Sequence, residues 1–326
     1  MLSARLRPID IIAQNIAQVF DLREIFCGAH PNKPRCARRW RCKPRRQRNA
    51  KLRRETRQGM HDTYVHGYDA RANERLRDQA ASTVDLLHSD TAYPSGSLVL
   101  EAGCGVGAQT VTLARRSPGA RFISIDHAAE SVAETQRVVA AARLTNVHVQ
   151  QADIFDLPFA PSSFDHVFVC FVLEHLARPV EALRILRRLL RPGGTLTAIE
   201  GDHGSAYFHP DSSAAHDAIR CQIELQRRAG GNANIGRQLF PLMVEAGFHA
   251  VRVAPRMRYV DSSRPDFVEE FTLKTFTAMI EGVREAALAA GIIDPQRFDT
   301  GIRDLYRTAE ADGVFCYTFF KAVGSA

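Results

Sequence analysis

The 326-residue chain has no unbroken apolar run of about 18 residues, so no segment reads as a membrane-spanning helix. It has no C-x-x-C pair. Cys27, His30, Cys36 and Cys42 stand at irregular intervals, which argues against a zinc site. Its seven cysteines are an odd number, and Cys170 and Cys316 sit inside apolar runs. That pattern speaks against a disulfide framework and predicts reduced, buried thiols in a cytoplasmic protein. No internal repeat is visible. What is present, 45% hydrophobic and 24% charged residues, suits a globular protein long enough for one large domain or two smaller ones.

A formal net charge of +7 suggests a nucleic-acid partner until it is divided along the chain. Residues 1–59 hold 16 Lys and Arg against 4 Asp and Glu, which leaves 27 basic and 32 acidic residues for the rest. The body is therefore mildly acidic, and the basic excess belongs to the amino-terminal segment. Ile9, Ile12, Ile16, Val19 and Phe20 give that segment an apolar-periodic part, whereas Arg35 to Arg57 has too little apolar content to pack and is expected to be disordered. An Arg-rich leader of this kind is read as an organelle transit peptide, a nucleic-acid-binding arm, or a dispensable extension ahead of a start at Met60. The last reading is preferred, giving a body over residues 60–326.

The most informative stretch is Leu98-Val99-Leu100-Glu101-Ala102-Gly103-Cys104-Gly105-Val106-Gly107. An apolar run reaches an acid, passes three glycines at alternate positions and continues into Ala108 to Ala114 with helical spacing. That is strand, tight turn and helix, with the helix start offering unpaired N–H groups to a ligand. A dinucleotide-binding turn reads G-x-G-x-x-G; here the third glycine comes one residue early, which argues against a dinucleotide-dependent oxidoreductase. After Arg121 to Ile125, a second strand ends at Asp126, 21 residues beyond Gly105, where an acid is placed to accept the hydroxyls of a ribose.

With Glu101 ahead of G-x-G-x-G, the chain resembles the class I S-adenosylmethionine (SAM) methyltransferases. Further motifs fall into register: Leu157-Pro158-Phe159 with Ser163-Phe164-Asp165, the apolar run His166 to Leu173 with Glu174-His175-Leu176, and Arg191-Pro192-Gly193-Gly194 before the strand Thr195 to Ile199. The resemblance implies an α/β fold, a Rossmann-like doubly wound seven-stranded sheet with helical lid insertions. Its core is expected over residues 94–200, with insertions at 204–234 and 262–312 forming the acceptor wall. SAM is the implied cofactor. Its implied contacts are Tyr64, Glu101, Gly103, Cys104, Gly105, Asp126, His127, Asp153, Ile154, Cys170, Phe171 and His175. His127 stands where the family usually has an apolar residue against the adenine. Asp153 reads equally as a turn cap. Tyr64 and Tyr68 read equally as an aromatic stripe packing a helix.

For the chemistry, an acceptor nucleophile needs only to be held in line with the methyl–sulfur bond, with a base added where the acceptor is neutral. Candidate bases follow the fourth and fifth strands: His203 first, then Asp202 and Glu174. His203 reads also as a residue that orders its glycine-flanked loop. His203, His209 and His216 with Asp202, Asp211 and Asp217 follow no metal-ligand spacing, so no metal is expected. The expected function is SAM-dependent methyl transfer to a small-molecule acceptor, aromatic or natural-product in kind. The alternative is a nucleic-acid or protein methyltransferase guided by the basic tail. Cys170-Phe171-Val172-Leu173 stands where base amino-methylating enzymes carry N/D-P-P-Y/F, so nucleic acid is not expected as the substrate.

Overall fold

In the computed structural model, which describes residues 83–326, the apolar runs of the sequence become one seven-stranded sheet. Expectations for residues 1–82, including Tyr64, Tyr68 and the basic tail, lie outside the described residues. The strands are β1 (Leu98–Ala102), β2 (Arg121–Asp126), β3 (Val147–Gln151), β4 (Phe164–Cys170), β5 (Leu190–His209), β6 (His249–Asp261) and β7 (Val314–Ser325). Their order is β3-β2-β1-β4-β5-β7-β6. Only β7 runs against its neighbours β5 and β6; the other pairings are parallel. The chain thus crosses over helices after β1, β2 and β4, and the strand order reverses at β1, which opens a crevice at the carboxyl ends of β1 and β4. The doubly wound α/β class expected from the motifs is the one observed.

The crossover helices are α1 (Ala108–Arg116), α2 (Ala129–Ala141) and α3 (Pro179–Leu189). Pro179 opens α3 at a position whose N–H has no helical partner. Leu183, Leu186 and Leu189 pack α3 on one face of the sheet, together with Ile235, Leu239 and Met243, the last two from α5 (Leu239–Glu245). The opposite face meets Leu87, from the helical segment 83–88, and a cap built from the insertions. That cap contains α4 (Ser213–Arg228), a π-helical stretch Val268–Thr277 and α6 (Pro295–Arg307). Ser212 Oγ accepts the Ala215 N–H, and Asp294 Oδ1 accepts the Arg297 N–H, so each long cap helix starts on its own side-chain acceptor. Lys321 of β7, itself buried, donates to Asp90 and Thr91 and ties segment 87–91 to the sheet.

Two expected boundaries move. Residues 204–209 belong to β5 rather than to an insertion, because Tyr207 and His209 pair with Cys316 and Val314 of β7 while Ala206 and Phe208 alternate inward beneath the cap. The sixth strand, expected over Ala250–Val253, extends from His249 to Asp261. It is the edge strand, where Pro255 leaves no central ladder short of a donor.

Candidate functional site

The glycine turn sits on the ends of two strands. Gly103 and Cys104 donate their N–H groups to Ile125 O, Gly105 N–H donates to Asp126 Oδ2 at 2.9 Å, and Thr135 Oγ1 donates to Gly105 O at 2.7 Å. Gly103 and Gly105 both have positive φ, +84° and +51°. A Cβ on Gly103 would overlap Val172 Cγ2, whereas a Cβ on Gly105 would meet no atom of the described residues within 4 Å. Among the described residues nothing covers the backbone at Gly105, next to the start of α1. Glu101 lies under the turn, with its Oε2 accepting Thr110 Oγ1 at 2.7 Å and Ser124 Oγ at 2.6 Å. Burial pushes its carboxyl up to about 7, against the pull of those two hydroxyls.

Asp126 takes the Ala128 N–H on its other oxygen at 3.0 Å. Burial works against its charge, yet the bonds from His127, Ala128 and Gly105 outweigh burial and hold the carboxyl below its ordinary range. His127 is half exposed, with Nδ1 3.4 Å from Asp126 Oδ1, and that contact raises its pKa. Asp153 is exposed and caps its own turn, accepting the Phe155 N–H at 2.9 Å, while Ile154 packs partly into the core.

Across the crevice, β4 ends at buried Cys170, whose thiol burial pushes up. Phe171 adopts a positive φ of 57°, unusual for a residue with a side chain, while its N–H remains bonded to Ile199 O at 2.9 Å. The following turn is held by a group the motif reading did not single out. Glu200 is 0% exposed, and its Oε1 accepts the Val172 N–H at 3.1 Å and the Leu173 N–H at 2.8 Å. Burial and the nearby Glu174 raise its pKa well above the usual carboxylate range. The signal available for it was an acid directly after the apolar run Thr195 to Ile199, the same pattern that Asp126 shows after β2. Val172, fixed in this way, lies against Gly103, so Glu200 shapes the glycine turn from the far side of the crevice.

Glu174 is buried, with Gln226 Nε2 3.4 Å from its Oε2 and His175 Nε2 3.5 Å from its Oε1. Burial raises its pKa, partly offset by His203 and Gln226. His175 is pushed down to about 4 by burial, with the His127 charge adding to it. Both oxygens of Asp202, one of the candidate bases, accept from Arg237, Nε to Oδ2 and Nη2 to Oδ1, each at 2.6 Å, a bidentate ion pair. His203 is 5% exposed, with Nδ1 3.0 Å from Tyr317 Oη and, among the described residues, no hydrogen-bond partner on Nε2. Burial lowers its pKa, and Glu174 pulls the other way. Tyr317, the second group missed in the sequence, stands among Phe271, Phe276 and Phe319. Among the described residues no three His, Cys, Asp or Glu side chains converge as a metal-binding group.

The arrangement thus has a charged carboxylate and open backbone on one side, and buried proton-carrying groups under an aromatic cap on the other. Residues 100–198 match a family described as a methyltransferase domain. A 37.1 kDa protein of transposon Tn4556 from Streptomyces fradiae is 38% identical over 162 residues, covering 49% of this chain and 46% of that protein. The demethylmenaquinone methyltransferase of Thermus thermophilus is 35% identical over 102 residues, covering 31% of this chain and 46% of that enzyme. The chain spans about half the length of the curated relatives it matches. Among solved structures, the YcgJ protein of Bacillus subtilis aligns with a TM-score of 0.50 at 15% identity, covering 75% of this chain and 97% of that one, a likeness of fold.

Proposed function

We propose that this chain carries a class I SAM-dependent methyltransferase domain and transfers a methyl group from SAM to a small-molecule acceptor by in-line displacement. The observation that carries the reading is the junction of Gly105 and Asp126, where an ionised carboxylate and a glycine backbone that no described residue covers stand beside a helix start. These residues suit SAM: Asp126 for the ribose hydroxyls, Gly103, Cys104 and Gly105 for close backbone approach, and His127, Asp153 and Ile154 for the adenine side. Cys170, Phe171 and His175 form the facing wall. Glu101 supports the turn from below through Thr110 and Ser124.

When bound, SAM supplies an electrophilic methyl on a sulfonium. The chain's share of catalysis is then to orient the acceptor and exclude water. The cap of α4, the π-helical stretch and α6 supports both tasks, and the rings of Phe271, Phe276 and Tyr317 suit an acceptor with a flat apolar portion. Glu174, a buried carboxyl whose pKa burial raises and which lies beside His175, is the group we assign to accept a proton when the acceptor brings one. No helix among the described residues is long and apolar enough to cross a membrane, and Cys104, Cys170, Cys221 and Cys316 are free thiols, which supports a cytoplasmic setting.

Calorimetric titration with SAM and its demethylated product, S-adenosylhomocysteine (SAH), tests the cofactor. Methyl transfer from labelled SAM into metabolite extracts with mass detection tests the activity. Binding of neither nucleoside to the folded protein refutes the reading.

A further inference from the structure

His203 and Tyr317 are 114 residues apart in sequence and meet beneath the cap, Tyr317 Oη 3.0 Å from His203 Nδ1. Both are buried, with the Phe276 ring 6.3 Å from the imidazole and 5.4 Å from the phenol. The Tyr317 hydroxyl is a donor as well as an acceptor. Its own proton needs an acceptor, and among the described residues the side-chain partner of that hydroxyl is His203 Nδ1. The phenol keeps this proton, because burial raises its pKa well above the usual tyrosine range. Tyr317 therefore donates and Nδ1 accepts.

A neutral imidazole whose Nδ1 accepts carries its hydrogen on Nε2. Of the groups that act on the ring, burial and His175 disfavour its charge, while Glu174 and the Ala233 carbonyl favour it, and burial dominates. Among the described residues Nε2 has no hydrogen-bond partner. A buried N–H left in that state calls for an acceptor from elsewhere.

We infer that Tyr317 is a positioning residue that holds His203 as the Nε2–H tautomer, so that His203 meets the methyl acceptor as a hydrogen-bond donor and not as its base. The acceptor then presents an oxygen lone pair at this point, as a carboxylate, phenolate or enolate does. The inference rests on the methyltransferase reading of the site. In the transfer, a lone pair of the acceptor forms the new bond to the methyl carbon while the methyl–sulfur pair stays on sulfur, leaving a neutral thioether. An acceptor that arrives as an anion has no proton to release, and the Nε2–H bond holds the anion in place.

The test is a two-bond proton–nitrogen spectrum of the full-length, nitrogen-15 histidine-labelled protein, recorded with and without SAH. The His203 signals are assigned by their loss in His203→Asn. Wild type is expected to show the Nε2–H pattern. Tyr317→Phe, which keeps the ring and removes the hydroxyl, is expected to lose that preference while its melting temperature stays close to wild type. An Nδ1–H pattern in wild type overturns the inference. So does an Nε2–H preference that survives in Tyr317→Phe, and the wild-type spectrum decides even where the variant does not fold. SAH titration of the same samples separates the two levels. A protein that binds SAH but shows the wrong tautomer refutes only the inference, and one that binds neither SAM nor SAH refutes the methyltransferase reading.

Discussion

Asp126 and Gly105 are joined by a single hydrogen bond, Gly105 N–H to Asp126 Oδ2 at 2.9 Å, that connects the end of β2 to the middle of the glycine turn. The other oxygen of the same carboxylate holds the Ala128 N–H at the start of α2. One side chain thus fixes the positions of two helix entries and keeps its negative charge at their meeting point. Both effects favour a ligand with vicinal hydroxyls, which gain charge-assisted bonds there.

Asp126→Ala is therefore expected to weaken SAM and SAH binding by about 1–3 kcal/mol, the range for loss of a hydrogen bond to a charged group. Asp126→Asn retains one carbonyl acceptor and should fall between. Calorimetry on variants with native circular dichroism checks this. Wild-type affinity in a folded Asp126→Ala protein would put the ribose elsewhere.

Glu200 governs the opposite wall. Glu200→Leu removes the acceptor of the Val172 and Leu173 N–H groups, and each buried donor left unpaired costs about 1–3 kcal/mol. Both stability and SAH affinity should drop. Glu200→Gln keeps a carbonyl oxygen for those donors and removes the repulsion with Glu174, so it should hold SAH affinity within about threefold, or ~0.7 kcal/mol. Equal affinity in all three proteins would separate Glu200 from the cofactor site.

The glycine turn and Asp126 were legible because their signals lie within one strand-turn-helix-strand unit, and local spacing carries them. Glu200, Tyr317 and the Arg237 partner of Asp202 were not. Glu200 acts on residues 28 and 27 positions away, Arg237 reaches Asp202 from 35, and Tyr317 reaches His203 from 114. An isolated acid after a strand looks like a free base until its arginine arrives from another element. The length of β6 was hidden for a different reason: Pro255, Arg256 and Arg258 interrupt an apolar pattern that an edge strand does not need.

Glu101 gives the fold a pH dependence with a definite sign. Its folded pKa, about 7, lies above that of an unfolded glutamate, so between roughly pH 4.5 and 7 the native state holds a proton that the unfolded chain has released. Its contribution is fully present below the unfolded pKa and is lost as pH rises through the folded one. The span corresponds to about 3 kcal/mol at most. Glu101→Gln keeps an acceptor for Thr110 and Ser124 without a charge. In urea melts it should lose less stability than wild type between pH 5 and pH 8, and parallel pH profiles for the two proteins would contradict the buried, raised carboxyl.

Gly103 and Gly105 separate packing from ligand contact at one turn. A side chain on Gly103 meets Val172 and must disturb the protein itself, whereas one on Gly105 meets none of the described residues. At φ +51° a side chain on Gly105 brings backbone strain of about 1–2 kcal/mol and little else in the absence of ligand. Gly105→Val should therefore remain folded with a modestly lower melting temperature, while its isopropyl group occupies the space that the Asp126 carboxylate and the start of α1 face. SAM and SAH binding should be abolished in calorimetry. Gly103→Ala should show the reverse balance, with the larger loss of stability. Should Gly105→Val keep SAM affinity within about threefold, or ~0.7 kcal/mol, the turn is a structural corner and the cofactor assignment at Gly105 and Asp126 fails.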